Sequence, residues 1–116
     1  MPEILDRAAL DELRAAVGGD RTLFVELLSS FLDDAVLFLG ELSAALEADD
    51  DAALMRPAHS LKSNAMNVGA ASLVDLCRAL EADARAGSVP DARERVAAIR
   101  TETDRVRSAI AELIDG

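Results

Sequence analysis

Apolar side chains recur at alternating steps of four and three residues through most of this chain. In the longest such run they fall on one stripe, which consists of Phe24, Leu28, Phe31, Ala35, Phe38, Leu42 and Ala45. This spacing follows the turn of an α-helix and is typical of helices that pack nearly antiparallel in a bundle. Ala and Leu, which are good helix formers, dominate the sequence, whereas β-branched residues are sparse. The pattern therefore predicts an all-α protein and argues against a β-sandwich or barrel.

Helix-breaking residues divide the 116-residue chain into five predicted helices. The helices are expected at about residues 5–17, 21–48, 52–68 and 70–86, with a fifth that carries Pro90 in its first turn. Asp6 and the triplet 49–51 are the expected N-caps, and Gly87 is the expected stop of the fourth helix. Short connections place successive helices side by side. We therefore expect one domain over residues 1–116, an up-down antiparallel four-helix bundle with a short additional N-terminal helix.

The last three helices also have predicted inward stripes. For the third helix these residues are Leu54, Ala58, Leu61, Ala65 and Val68. For the fourth they are Leu73, Leu76, Leu80 and Ala84. For the fifth they are Ala92, Val96, Ile99, Thr103, Val106, Ile110 and Leu113.

Charge and cysteine content exclude several classes of function. The net charge is −10, which disfavours binding to nucleic acids and to anionic membrane surfaces. No apolar run is long enough to span a membrane and no signal segment is present, so we expect a cytoplasmic protein. Cys77 is the only cysteine, and no metal site is expected because one His and one Cys provide too few ligands. We interpret Cys77 as a small core residue.

A segment without carboxylates surrounds the only histidine. Residues 52–74 contain no Asp or Glu, yet they include Arg56, His59 and Lys62, the only lysine. At about 100° per residue, His59 lies roughly 140° from the centre of the predicted core stripe. We therefore expect its imidazole to face solvent. An incidental surface histidine satisfies this geometry as well as a functional one does.

The residues that share this outer face favour a functional histidine. The face is formed by Met55, Arg56, His59, Lys62, Ser63 and Met66. A neutral imidazole has a free nitrogen lone pair and can act as a nucleophile. A phosphoryl group on it would bring about two negative charges, which a nearby ammonium would stabilise and carboxylates would oppose. The two methionines fit either an adaptable docking surface or simple packing at the helix edge.

The sequence around His59 resembles a known family. Residues 58–70 read AHSLKSNAMNVGA and continue with Leu73, Leu76, Cys77, Leu80 and Glu81. This is similar to AHxLKGSSxxxGAxxLxxLCxxLE, the signature of histidine-containing phosphotransfer (HPt) domains. The resemblance implies a four-helix bundle in which His59 accepts a phosphoryl group and Lys62 neutralises it. Ser63 stands where the family commonly has Gly, and this still small residue could donate a hydrogen bond to the phosphoryl group.

The resemblance also implies partners. An HPt domain takes its phosphoryl group from the aspartyl phosphate of a receiver domain and passes it to another receiver. The expected partners are therefore response-regulator receivers and the receiver of a hybrid histidine kinase. The receiver supplies the magnesium, so we expect no cofactor. Met55, Arg56 and Met66 are the expected docking residues, and a monomer is expected.

Two other interpretations stay open at this point. A histidine-kinase dimerisation domain is also a helical hairpin with a phosphoacceptor histidine, but it usually has an acidic residue where Ser60 follows His59. The chain also has no G-x-G loop or P-loop, so we expect a carrier and not an ATP-using enzyme. The third interpretation is an adaptor bundle in which His59 is a relic. Pro57, inside the third predicted helix, indicates either a bend or an irregular first turn.

Overall fold

The computed structural model describes residues 4–115, which form a helical bundle without strands. Its elements are α1 (Arg7–Ala16), α2 (Arg21–Glu47), a 3-10 turn (Ala52–Leu54), α3 (Met55–Asn67), α4 (Ala71–Ala86) and α5 (Ala92–Asp115). Each of the four longer helices packs against two others, in the cyclic order α2, α3, α4, α5, so that α3 and α5 occupy opposite corners. The predicted fold class, a four-helix bundle with a short N-terminal helix, is confirmed. None of the described helices combines the length and apolar character that a membrane span requires.

Aspartate side chains fix the starts of the helices. The Asp6 carboxylate accepts a hydrogen bond from Ala8 N, and the Asp50 carboxylate accepts one from Ala53 N. Asp51, the third residue of the acidic triplet, reaches across the bundle end and accepts a hydrogen bond from Val89 N at 2.8 Å. The triplet therefore begins the third helical segment, as predicted, and also holds the connection between α4 and α5.

The prediction for Pro90 is wrong, because α5 begins two residues later. Asp91 adopts φ +55°, and its carbonyl accepts a hydrogen bond from Arg95 N at 3.0 Å. Asp91 therefore occupies the capping position, and an Asp can adopt this left-handed conformation more easily than most residues. Pro90 lies in the preceding turn.

The core stripes follow the predicted faces with a few shifts. In α2, Leu39 is buried while Phe38 is only half-buried, and in α4, Cys77 is buried while Leu76 is half-buried. A strict alternation of three and four residues averages 3.5 per turn, so it drifts around a straight helix by about 20° per heptad. The first and last residues of the α5 stripe, Ala92 and Leu113, are also only partly buried.

Pro57 does not kink α3. The 3-10 turn precedes the α-helix, so Pro57 is the third residue of α3 and lies in its first turn. The first four N–H groups of a helix have no partner within it, so the missing N–H of proline costs no hydrogen bond there. Of the two possibilities left open by the sequence, the irregular first turn is the correct one.

The N-terminal segment is fastened to the turn between α3 and α4. Asp6 N donates a hydrogen bond to Gly69 O at 3.0 Å. Gly69 has φ +68°, and a Cβ at this position would lie 2.8 Å from Asp6 N. Only glycine combines this backbone conformation with such a close approach.

Cys77 is a core residue, as the sequence indicates. Its side chain is completely buried, and burial raises the pKa of its thiol to about 12. A thiol with so high a pKa supplies almost no reactive thiolate at neutral pH.

Candidate functional site

His59 lies in the second turn of α3 and projects away from the core. Its side chain is 55% exposed, whereas the preceding residue Ala58 and the nearby Leu61 are completely buried. The outward direction predicted from helical geometry is confirmed.

A carboxylate from the neighbouring helix lies between His59 and Lys62. Glu81 of α4 places Oε2 at 2.9 Å from His59 Nδ1 and Oε1 at 2.6 Å from Lys62 Nζ. Arg85, one turn further along α4, donates to Oε2 at 3.1 Å. The Glu81 side chain is only 6% exposed, so its partners enclose it almost fully.

This arrangement corrects the expectation of a patch without carboxylates. The segment around His59 contains no Asp or Glu, but α4 packs against α3 and brings Glu81 beneath the imidazole. Charge counting along one helix could not reveal this residue. The signal in the sequence that could identify it is its position as the last residue of the family signature.

The charge of Glu81 determines which nitrogen of His59 carries the proton. The hydrogen bond from Lys62 lowers the pKa of Glu81, and the one from His59 acts in the same direction, against the opposing effect of burial. The group is therefore an ionised carboxylate at neutral pH, which can only accept hydrogen bonds. His59 Nδ1 must then carry the proton, and in the neutral ring the lone pair lies on Nε2. An exposed imidazole held in this tautomer can act as a nucleophile through Nε2.

Comparison with known proteins now assigns the family. The profile of the Hpt domain matches residues 26–109, which include α3, α4 and most of α2 and α5. The chain belongs to the Hpt domain family. Membership assigns it to histidine phosphotransfer in two-component signalling, in which Hpt domains interact with receiver domains and serve as phosphocarriers and not as kinases.

Solved structures support this assignment. Histidine-containing phosphotransfer protein B (HptB) from Pseudomonas aeruginosa PAO1 is 30% identical, with a TM-score of 0.89 over 99% of this chain and 97% of that one. The HPT domain of a sensor hybrid histidine kinase from Shewanella shares the fold, with 20% identity and a TM-score of 0.73 over 91% of this chain and 92% of that one. A search of curated proteins gave no match.

The other predicted site residues of this Hpt domain surround His59 on α3. Arg56, Ser63 and Met66 are exposed, whereas Met55 and Lys62 are partly buried. Of these residues, Lys62 forms an ion pair with Glu81, the carboxylate beneath His59. Within residues 4–115 no cluster of side chains could hold a metal ion.

Proposed function

We propose that this Hpt domain relays a phosphoryl group between receiver domains through phosphohistidine at His59. The observation that carries the proposal is the hydrogen bond between Glu81 and His59 Nδ1, which leaves Nε2 of the exposed ring as the nucleophile. Nε2 attacks the phosphorus of a receiver aspartyl phosphate. The new N–P bond forms as the P–O bond to the aspartate breaks, and the aspartate leaves as a carboxylate. Delivery to the next receiver is the same step in reverse.

The Glu81 carboxylate supports the proposed intermediate through charge. Once Nε2 carries phosphorus and Nδ1 keeps its proton, the imidazole ring is a cation. Its Nδ1–H then donates a charge-assisted hydrogen bond to a carboxylate that already lies at 2.9 Å. No proton has to move when the N–P bond forms or breaks, so the site needs no general acid or base.

Lys62 and Ser63 have proposed roles at the phosphoryl group. Lys62 follows His59 by three residues and Ser63 by four, so both lie within one turn of the imidazole. The Lys62 ammonium, paired with Glu81 in the unphosphorylated site, also offsets the charge of the transferred group. The Ser63 hydroxyl is exposed and can donate to a phosphoryl oxygen. Met55, Arg56 and Met66 form the proposed contact with the receiver.

The proposal extends to the setting in which the relay operates. We infer that the chain acts as a monomer in the cytoplasm. Its partners would be response-regulator receivers and the receiver of a hybrid kinase, and it would use neither ATP nor a cofactor of its own.

The experiment is to replace His59 by Gln and to supply phosphoryl groups in two ways. Phosphoramidate, a small donor that phosphorylates histidine directly, and a phosphorylated receiver domain should both label the wild type with an acid-labile phosphate. The His59→Gln variant should accept none. Its free energy of unfolding should fall by no more than about 1.5 kcal/mol, since the side chain is exposed and a Gln amide can still donate to Glu81 in place of Nδ1. Ser60→Ala, which changes the adjacent residue, is the control and should be labelled normally. A phosphate that the His59→Gln variant still accepts would refute the assignment.

A further inference from the structure

One side of the phosphoacceptor helix is bordered by arginines. The contacts of Glu81 with α3 show which side of α4 faces that helix. Arg78 and Arg85 lie three residues before and four residues after Glu81, so they follow the same side of α4. Their side chains are 60% and 66% exposed. Arg78 pairs with Asp75 of the same helix at 3.4 Å, and Arg85 pairs with Glu81. Together with Lys62, this border has three cationic groups against two carboxylates, so it is accessible and has an excess of positive charge.

The other side of α3 is bordered by carboxylates. In α2, Ser43 accepts a hydrogen bond from Arg100 of α5 at 2.7 Å, which identifies the side of α2 that faces α5. By helical geometry, Asp34 and Glu41 lie about 90° from the core direction on the opposite side, towards α3. Both are exposed. Residues 22–55 contain no Lys or Arg, so nothing in α2 after its first residue neutralises this border.

The two borders match in spacing. Arg78 and Arg85 are seven residues apart, as are Asp34 and Glu41, which corresponds to about 10.5 Å along each helix. Because α2 and α4 both pack against α3, the exposed His59 lies between a positive edge and a negative edge. With a net charge of −10, the protein as a whole repels an acidic partner, so these local edges decide how such a partner can dock.

We propose that these edges select a receiver domain with a matching charge polarity and fix its rotational orientation over His59. The inference rests on the proposed function. Carboxylates at one border of the receiver site would face Arg78 and Arg85, and basic side chains at the opposite border would face Asp34 and Glu41. A receiver turned by half a revolution would meet like charges on both edges, which disfavours that complex.

Charge reversals on each edge test the inference. A panel of purified receivers is first phosphorylated with acetyl phosphate, and the receiver that transfers its phosphoryl group fastest to the wild type is chosen. The readout is the transfer rate from this receiver to each variant. We expect Arg78→Glu and Asp34→Lys each to slow transfer by about three- to tenfold at low ionic strength, with the effect decreasing as salt is added. The matched controls are Arg107→Glu and Asp104→Lys on α5, an exposed pair with the same three-residue spacing as Arg78 and Asp75. Neither control should slow transfer by more than twofold.

Asp34→Lys gives the most decisive outcome, because simple attraction to an acidic partner predicts that it speeds transfer. A faster rate for this variant, or equal slowing by Arg78→Glu and Arg107→Glu, would overturn the inference. Phosphoramidate labelling of His59 requires no docked protein and should be the same in all four variants. If the wild type is labelled by neither phosphoramidate nor any receiver, the proposed function fails. If labelling is normal and only the pattern of rates is wrong, the docking inference alone fails.

Discussion

Replacement of Glu81 by Gln tests the central feature of the site. The substitution keeps the shape of the side chain but removes its charge and one of its two acceptor oxygens. Lys62, His59 and Arg85 all donate to Glu81 in the wild type. A Gln amide offers a single acceptor oxygen, and its NH2 group must face at least one of these donors. The Gln side chain therefore cannot accept hydrogen bonds from all three donors as the carboxylate does.

The expected loss of stability follows from burial. Removing one partner of a buried ion pair costs about 3–5 kcal/mol. Lys62 is 18% exposed and lies on a flexible stem, so part of this cost is relieved when its ammonium turns towards water. We expect a decrease of about 1–3 kcal/mol in the free energy of unfolding at pH 7.

The expected loss of activity follows from the bond to His59. A hydrogen bond to a charged group contributes about 1.5–3 kcal/mol, and the imidazolium of the phosphorylated ring loses its charged acceptor. Since each 1.4 kcal/mol corresponds to a factor of ten, transfer should slow by about ten- to a hundredfold. If the amide NH2 faces Nδ1, the proton moves to Nε2, and the lone pair then lies on Nδ1, where it accepts from the amide. Nε2 is then no longer a nucleophile.

Three measurements check these expectations. Denaturant unfolding gives the stability, transfer from a phosphorylated receiver gives the rate, and nitrogen NMR of the imidazole gives the tautomer. Glu102→Gln is the control, because Glu102 is also a buried carboxylate with an arginine partner, Arg105 at 2.9 Å, but lies on α5. It should leave the rate and the tautomer unchanged. A Glu81→Gln variant with wild-type rate and the Nδ1–H tautomer would show that the carboxylate does not position His59.

The pH dependence of stability gives an independent check on the same group. The folded state lowers the pKa of Glu81 below its ordinary value of 4.5, so the ionised carboxylate contributes stability above that value. This contribution is lost as the pH falls from 4.5 through the lowered pKa. The stability difference between wild type and Glu81→Gln should therefore be largest at neutral pH and should shrink in acid.

Three further substitutions test the surroundings of the site and the fold. Ser63→Glu should slow transfer about tenfold through charge repulsion and bulk; partial rescue by salt would identify charge as the cause, whereas wild-type rates for this variant and for Lys62→Ala would exclude this face as the docking surface. Gly69→Ala should lower the melting temperature more than Gly18→Ala, because both glycines have φ near +67° but only a Cβ at Gly69 would collide with Asp6. Pro57→Ala should lower the melting temperature or leave it unchanged, because the ring is buried without kinking α3; a higher melting temperature would reveal strain.

Most of the fold follows from local sequence signals. Glycine and aspartate mark the ends of the helices because they satisfy or terminate backbone hydrogen bonds within a few residues, as Asp6 and Gly87 do. The direction of His59 was also predictable, since it depends only on the helical repeat and on which face of α3 is apolar. The wrong prediction for Pro90 also has a local origin. Asp91 adopts a left-handed conformation and caps α5, so the helix begins after Pro90 and not at it.

The parts that could not be predicted depend on pairs of helices. Whether Phe38 or Leu39 is buried depends on how α2 lies against its two neighbours, and this is not encoded in α2 alone. Glu81 is separated from His59 by 22 residues. A helical wheel of α4 places this carboxylate at the edge of the apolar face, but only the packing of α4 on α3 shows that it faces an imidazole.

His59, Lys62 and Glu81 all belong to the hairpin formed by α3 and α4, which is also the most extensively packed pair of helices. Helices that bury many side chains open only at a free energy that approaches that of global unfolding. In hydrogen exchange, the amides of this hairpin should therefore open only with global unfolding, whereas α1, which has no buried residue, should exchange through local fraying. The arrangement of His59, Lys62 and Glu81 would then persist through every partial opening of the bundle.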